Sequence, residues 1–166
     1  LVNGRFMNAG QVCISPKRII ATSSIYEAFQ EKVMTLVKSY QTGNPMDEHC
    51  MMGPMARDDI RQNLHQQINQ SIEKGAKCLV GGYIEDKTGY YYAPTLLSNV
   101  TQGMPAFDDE LFGPILFITL SDSFEESIQL ANNTNYGLTS SIYTTKKPQY
   151  LYAQQKINAG IIIIGN

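Results

Sequence analysis

The chain has 166 residues, a net charge of −2 and a charged share of 17%, against roughly 25% in an ordinary soluble domain. No Lys/Arg cluster exceeds two neighbours, which argues against a nucleic-acid groove or a polybasic membrane patch. No apolar run reaches the roughly 18 residues of a bilayer span; the three cysteines, Cys13, Cys50 and Cys78, have no CxxC spacing, which favours a reducing, cytoplasmic setting over a disulfide framework.

Asn and Gln, 11 and 12 of them, fill part of the charge gap. The surface is therefore polar but short of charge. Compositional bias explains this, or else faces that meet another domain or subunit. The length suits one domain with a proper core, and the first stretch has no signal-peptide h-region.

In chain order, residues 17–22 (KRIIAT) form a β-prone run. Ser24 and Glu27 have capping-box spacing and open a helix, with Ile25, Phe29, Val33 and Val37 as its apolar stripe. Gly43, Asn44 and Pro45 end it. A second helix spans about 57–74 with the stripe Ile60, Leu64, Ile68 and Ile72, and Gly75 suits its C′ position. A strand over 77–80 ends at Gly81-Gly82. The stretch 90–100 reads as a strand broken by Pro94, which suits an edge or a bulge.

The run 115–120 (ILFITL) has the pattern of a strand buried on both faces. Ser123 and Glu126 form a second capping box, opening a helix to about Asn132. A strand over 139–144, a helix with Pro148 at N1, and four isoleucines over 161–164 complete the chain. From Gly113 onward the order strand, helix, strand, helix, strand predicts right-handed βαβ crossovers and strands covered on both sides. The expected fold is a three-layer αβα domain with a mostly parallel sheet.

Cys13 is the sharpest chemical candidate. It ends the run Asn8-Ala9-Gly10-Gln11-Val12-Cys13, just before the first strand. Glycine beside a cysteine permits close backbone approach, so a carbonyl group can reach both sulfur and main-chain N–H. A thiolate there can attack an aldehyde or acyl carbon. Taken alone, a free cysteine is more often buried and inert.

The second candidate is Glu110-Leu111-Phe112-Gly113-Pro114. Glu110 can accept hydrogen bonds from a ribose diol, and Phe112 can pack beside a nicotinamide or ribose. Alone, the segment reads as a turn with a solvated acid. His49 and His65 lack zinc-ligand spacing. Neither a GxSxG elbow nor a common phosphate loop occurs.

Together the two fragments resemble the aldehyde dehydrogenase superfamily. Gly-Gln-x-Cys is followed some hundred residues later by Glu-x-Phe-Gly-Pro. Ile25-Tyr26, Phe29, Gly53-Pro54, Gly75-Ala76, Gly81-Gly82, Pro94-Thr95, Asn132, Tyr136-Gly137-Leu138 and Ala159-Gly160 continue the match in order. Gly53-Pro54-Met55-Ala56-Arg57, Leu64-His65 and Asn99-Val100-Thr101 look most like the bacterial NAD(P)-dependent succinate-semialdehyde dehydrogenases.

The resemblance implies that Cys13 is the nucleophile. It would form a thiohemiacetal whose oxyanion its own N–H helps to hold, pass a hydride to nicotinamide, and lose its acyl group to water. It implies that Glu110 and Phe112 contact the nicotinamide-side ribose of NAD or NADP, with no metal. Residues 1–166 would be a catalytic-domain fragment of a homo-oligomer, dimer or tetramer, acting on a small aldehyde. The cofactor domain, the deacylating glutamate, the oxyanion asparagine and the C-terminal arm would lie outside the chain, leaving it without turnover alone.

Two positions depart from the pattern. Met7 stands where some relatives hold a substrate carboxylate with arginine, leaving Arg5 or Arg57 as substitutes. Ser15 replaces a redox-switch cysteine. The alternatives are an enzyme acylating coenzyme A, a non-catalytic interaction domain, and a cysteine hydrolase using His49 or His65.

Overall fold

The computed structural model describes residues 1–165. A short helix α1 (Val2–Phe6) leads through a turn at Met7–Gly10 into strand β1 (Arg18–Thr22). Then come α2 (Tyr26–Ser39), α3 (Asp58–Glu73), β2 (Lys77–Val80), β3 (Thr95–Ser98) and α4 (Pro105–Asp108). The chain continues with β4 (Ile115–Ser121), α5 (Phe124–Asn132), β5 (Thr139–Tyr143), α6 (Lys147–Lys156) and β6 (Ile161–Gly165).

The main sheet has the order β1-β4-β3-β2. β4 runs parallel to both neighbours, with Arg18 opposite Phe117 and Thr95 opposite Ile115; only β2 is antiparallel. Leu96, Leu97, Ile115, Leu116 and Ile118 are fully buried in these central strands. That is the expected behaviour of near-continuous apolar strands with helices against them. α2 packs on β1, β2 and β3, while α5 packs on β1 and β4. The mixed, mostly parallel three-layer αβα arrangement is therefore present.

The two long helices each bury two consecutive residues of the predicted stripe, the last two in α2 and the middle two in α3. Val33 and Val37 are buried in α2, Leu64 and Ile68 in α3, whereas Ile25 and Ile72 are exposed. Gly75 ends α3 with φ +110°, and its N–H bonds to Ile72 O at 2.9 Å. The Ser123 cap forms, its hydroxyl accepting from Glu126 N at 3.1 Å, while the Glu126 carboxylate reaches one residue further back and accepts from Asp122 N at 2.6 Å.

Three expectations are corrected. Ser24 does not cap α2, because Ser23 N bonds to Ser121 O at 2.9 Å and keeps the chain on the sheet. The helix starts at Tyr26, behind Ile25. The strand around Pro94 is central rather than an edge. It starts after the proline, so the missing N–H falls outside the ladder, and the register break lies on β2 between Cys78 and Val80.

The strands after Gly113 do not share one sheet. β1 and β3 take both sides of β4, so β5 pairs only with β6 in a separate parallel pair. A two-stranded unit covers one face only. Alternate isoleucines of β6 therefore face out, with Ile161 at 56% and Ile163 at 52% exposure.

This division sets a test of stability. Leu96→Ala in the central sheet is expected to lose about 2–5 kcal/mol. Ile161→Ala on the open face should change stability by under about 1 kcal/mol. Denaturant unfolding of both variants measures the contrast.

Candidate active site

The site begins with a burial problem. α1 lays Val2 and Phe6 into the core, and Ala9 follows them. Arg5 lies between these anchors and is 0% exposed. A buried cation needs hydrogen-bond partners, and here they come from two distant stretches. Nε donates to Ile115 O at 2.5 Å and Nη2 to Leu111 O at 2.6 Å. Nη1 donates to Ser15 Oγ at 2.6 Å and to Gly10 O at 3.4 Å. Burial lowers the Arg5 pKa to about 10, opposed by the charge of Glu110. The group is still cationic at neutral pH.

The turn after α1 is tight. Asn8 and Ala9 both have φ of 52°, and Gly10 has φ of 73°. A non-glycine residue in the left-handed region costs on the order of 1 kcal/mol or more. The surroundings hold this conformation in place. A Cβ on Gly10 would lie 2.0 Å from Gly113 O, so the loop's backbone touches the backbone of the Gly-Pro turn. Gly113 is also tightly packed, since a Cβ there would lie 2.3 Å from the side-chain tip of Leu64. Gln11 ties the loop sideways, accepting from Ala56 N at 2.9 Å and donating to Asn8 O at 3.0 Å.

Cys13 sits exposed on this locked loop, between buried Gly10 and Ser15. Glu110 and Phe112 lie at the segment to which the loop is fastened. One side chain reaches all three residues. The Lys17 ammonium is 3.0 Å from Cys13 O, 2.8 Å from Glu110 Oε1 and 5.9 Å from the Phe112 ring centroid. Glu110 keeps 37% side-chain exposure, so acceptor sites on its carboxylate stay open to solvent. Phe112 is half-buried. A half-buried carboxylate with open acceptor sites and a half-buried ring could together bind a sugar diol and a flat ring.

The remaining candidates lie elsewhere. His65 Nδ1 is 2.9 Å from Tyr92 Oη and Nε2 is 3.1 Å from Asn69 Nδ2, so both ring nitrogens are engaged on α3. His49 is in an exposed turn. Neither bonds to Cys13, which removes the base that a cysteine hydrolase needs. Arg5 is fully committed and cannot substitute as a substrate-binding arginine. Arg57 is exposed and paired with Asp59, and Met7 is 57% exposed. Among the described residues no three His, Cys, Asp or Glu side chains group to hold a metal ion, and no helix is long and apolar enough to cross a membrane.

Known proteins resemble the chain along nearly its whole length. The sequence profile of the aldehyde dehydrogenase family matches residues 1–166. The chain is 39% identical over 163 residues to succinate semialdehyde dehydrogenase (NAD(P)+) Sad of Escherichia coli (strain K12), covering 98% of this chain and 35% of the relative. The crystal structure of lactaldehyde dehydrogenase from Escherichia coli superposes with a TM-score of 0.95 at 35% identity, over 98% of this chain and 34% of that one. Succinic semialdehyde dehydrogenase from Streptococcus pyogenes, in complex with NADP+ as the cofactor, gives 0.91 at 32% identity, over 97% and 35%. The chain thus spans about a third of the length of the relatives it matches.

Arg5→Met should destabilise the fold by about 3 kcal/mol or more, because it strands buried acceptors at Leu111, Ile115 and Ser15. Denaturant midpoints test this. An unchanged midpoint would show that the guanidinium is not the fastener.

Proposed function

The chain belongs to the aldehyde dehydrogenase family, and we propose that it is a catalytic-domain portion of an NAD(P)-dependent enzyme oxidising succinate semialdehyde to the carboxylic acid. One observation carries the reading: an exposed Cys13 on a loop locked by Arg5 and Gly10 to the segment bearing Glu110 and Phe112. A nucleophile needs exposure, and its backbone needs fixing, because catalytic groups work when preorganised.

In this reading the Cys13 thiolate attacks the aldehyde carbon. A C–S bond forms, and the carbonyl oxygen becomes an alkoxide beside the Cys13 amide. NAD(P)+, when bound, supplies the acceptor for the hydride that leaves that carbon. The resulting thioester on Cys13 is cleaved by water, releasing the acid and a proton and restoring the thiolate. Glu110 would accept from the ribose hydroxyls of the bound cofactor, and Phe112 would offer a ring face to it. A cytoplasmic setting belongs to this reading, since it keeps Cys13 reduced.

Substrate choice has a second reading that specific observations favour. Met7 cannot pair with a carboxylate, Arg5 is spent inside the fold, and Arg57 is held by Asp59. These favour an aldehyde without a distal charge. In the complete protein, a preference of about tenfold or more in kcat/KM for succinate semialdehyde over butanal supports the first reading. Equal values support the second.

Two further outcomes are expected. Cys13→Ala in the complete protein should abolish aldehyde oxidation, and the isolated 166-residue chain should show no turnover with NAD or NADP. Retained oxidation in either would refute the reading. We also propose that copies of the chain associate as a dimer or tetramer through the open β5–β6 unit. Leu138, Tyr143, Ile161 and Ile163 are exposed there, and apolar strands left open invite pairing. Light scattering of the isolated chain should show self-association; a monodisperse monomer at high concentration would count against it.

A further inference from the structure

Lys17 stands in the sequence as the first residue of a β-prone run, with no chemical signal attached. In the structure its ammonium is bonded on three sides. It donates to Cys13 O at 3.0 Å and Val12 O at 3.4 Å, and it pairs with Glu110 Oε1 at 2.8 Å. Its side chain is 18% exposed, so the pair is only partly screened by water. The anchor is rigid, because Lys17 follows a proline and immediately precedes β1.

We propose that Lys17 is a positioning residue that pre-sets the Glu110 carboxylate for the ribose of the dinucleotide. The proposal rests on the reading of Glu110 as a cofactor contact. Two physical effects act together. A free glutamate samples several rotamers and loses that freedom on binding. An ammonium already fixed to two backbone carbonyls holds one carboxylate oxygen, so less ordering is left for the binding step. The second effect is charge. A bare carboxylate repels a ligand that carries phosphates, and the ammonium offsets this at close range.

The same ammonium bonds to the carbonyl of the nucleophile itself. The cofactor-side acid and the peptide of Cys13 therefore share one anchor. A purely structural lysine would need the carbonyls alone. A lysine that sets Glu110 must show energetic coupling to it.

The test is a double-mutant cycle on the complete, cofactor-free protein, read as the Kd for NADH and for NADPH by nicotinamide fluorescence. Lys17→Met is expected to raise Kd about fivefold, and Lys17→Arg should stay within about twofold of the parent. Lys17→Gln keeps a donor for the Cys13 carbonyl but removes the charge, and it should weaken binding as well. It also serves if Lys17→Met fails to fold. Adding Lys17→Met to Glu110→Gln should cause no further loss. Independent, additive effects would overturn the proposal, as would an unchanged Kd in Lys17→Met and Lys17→Gln beside a weakened Glu110→Gln. An unchanged Kd in Glu110→Gln would instead overturn the cofactor reading of Glu110, and this proposal with it.

Discussion

The guanidinium of Arg5 is taken fully out of water and surrounded by oxygens from two stretches about a hundred residues apart: Gly10 and Ser15 on one side, Leu111 and Ile115 on the other. Desolvating a charge is expensive unless its donors are satisfied. The favourable arrangement is therefore specific. Either both stretches lie at their observed positions, or a buried charge and several carbonyls go unpaired. The left-handed turn at Asn8–Gly10, the contact of Gly10 with Gly113 and the start of β4 all follow from that one group's needs. The loop that carries Cys13 is fixed from inside the protein, which leaves Cys13 itself free at the surface.

The sequence made the local features legible. Helix stripes, the Ser123 box, the buried strand at 115 and the two motifs around Cys13 and Glu110 are all readable from spacing. Sheet partition was not. Whether β5 joins β4 depends on who already occupies the sides of β4, and that is a long-range outcome. Pro94 misled for a related reason: its effect depends on whether it lies inside a strand or one residue before it. Arg5 and Lys17 were also hidden. The one available hint at Arg5 was a cation set between Val2, Phe6 and Ala9, residues that share a buried face.

The low charge of the chain acquires a sharper meaning. Three cations within 14 residues are turned inward onto backbone carbonyls. Arg18 behaves like Arg5 and Lys17: it donates to Leu130 O at 2.7 Å, Asn133 O at 3.0 Å and Phe107 O at 2.5 Å, and stacks 3.9 Å from the Phe107 ring. The carbonyls at the ends of α5 and α4 are thereby satisfied. These residues count as charge in the composition, yet they work as hydrogen-bond connectors between segments. The outer surface is left with even less charge than the sequence total suggests.

The unit of β5, α6 and β6 joins the rest through few attachments. α6 packs on α5, and the Asn132 side chain clasps the far end of α6, donating to Lys156 O at 2.7 Å and accepting from Asn158 N at 2.8 Å. Its strands share no ladder with the main sheet. Stability in such a molecule is unevenly distributed, and weakly attached regions open before the core does. By this reasoning the amides of β5 and β6 should open to hydrogen exchange at lower free energy than those of β4 and β3. Asn132 is one tie between the two parts.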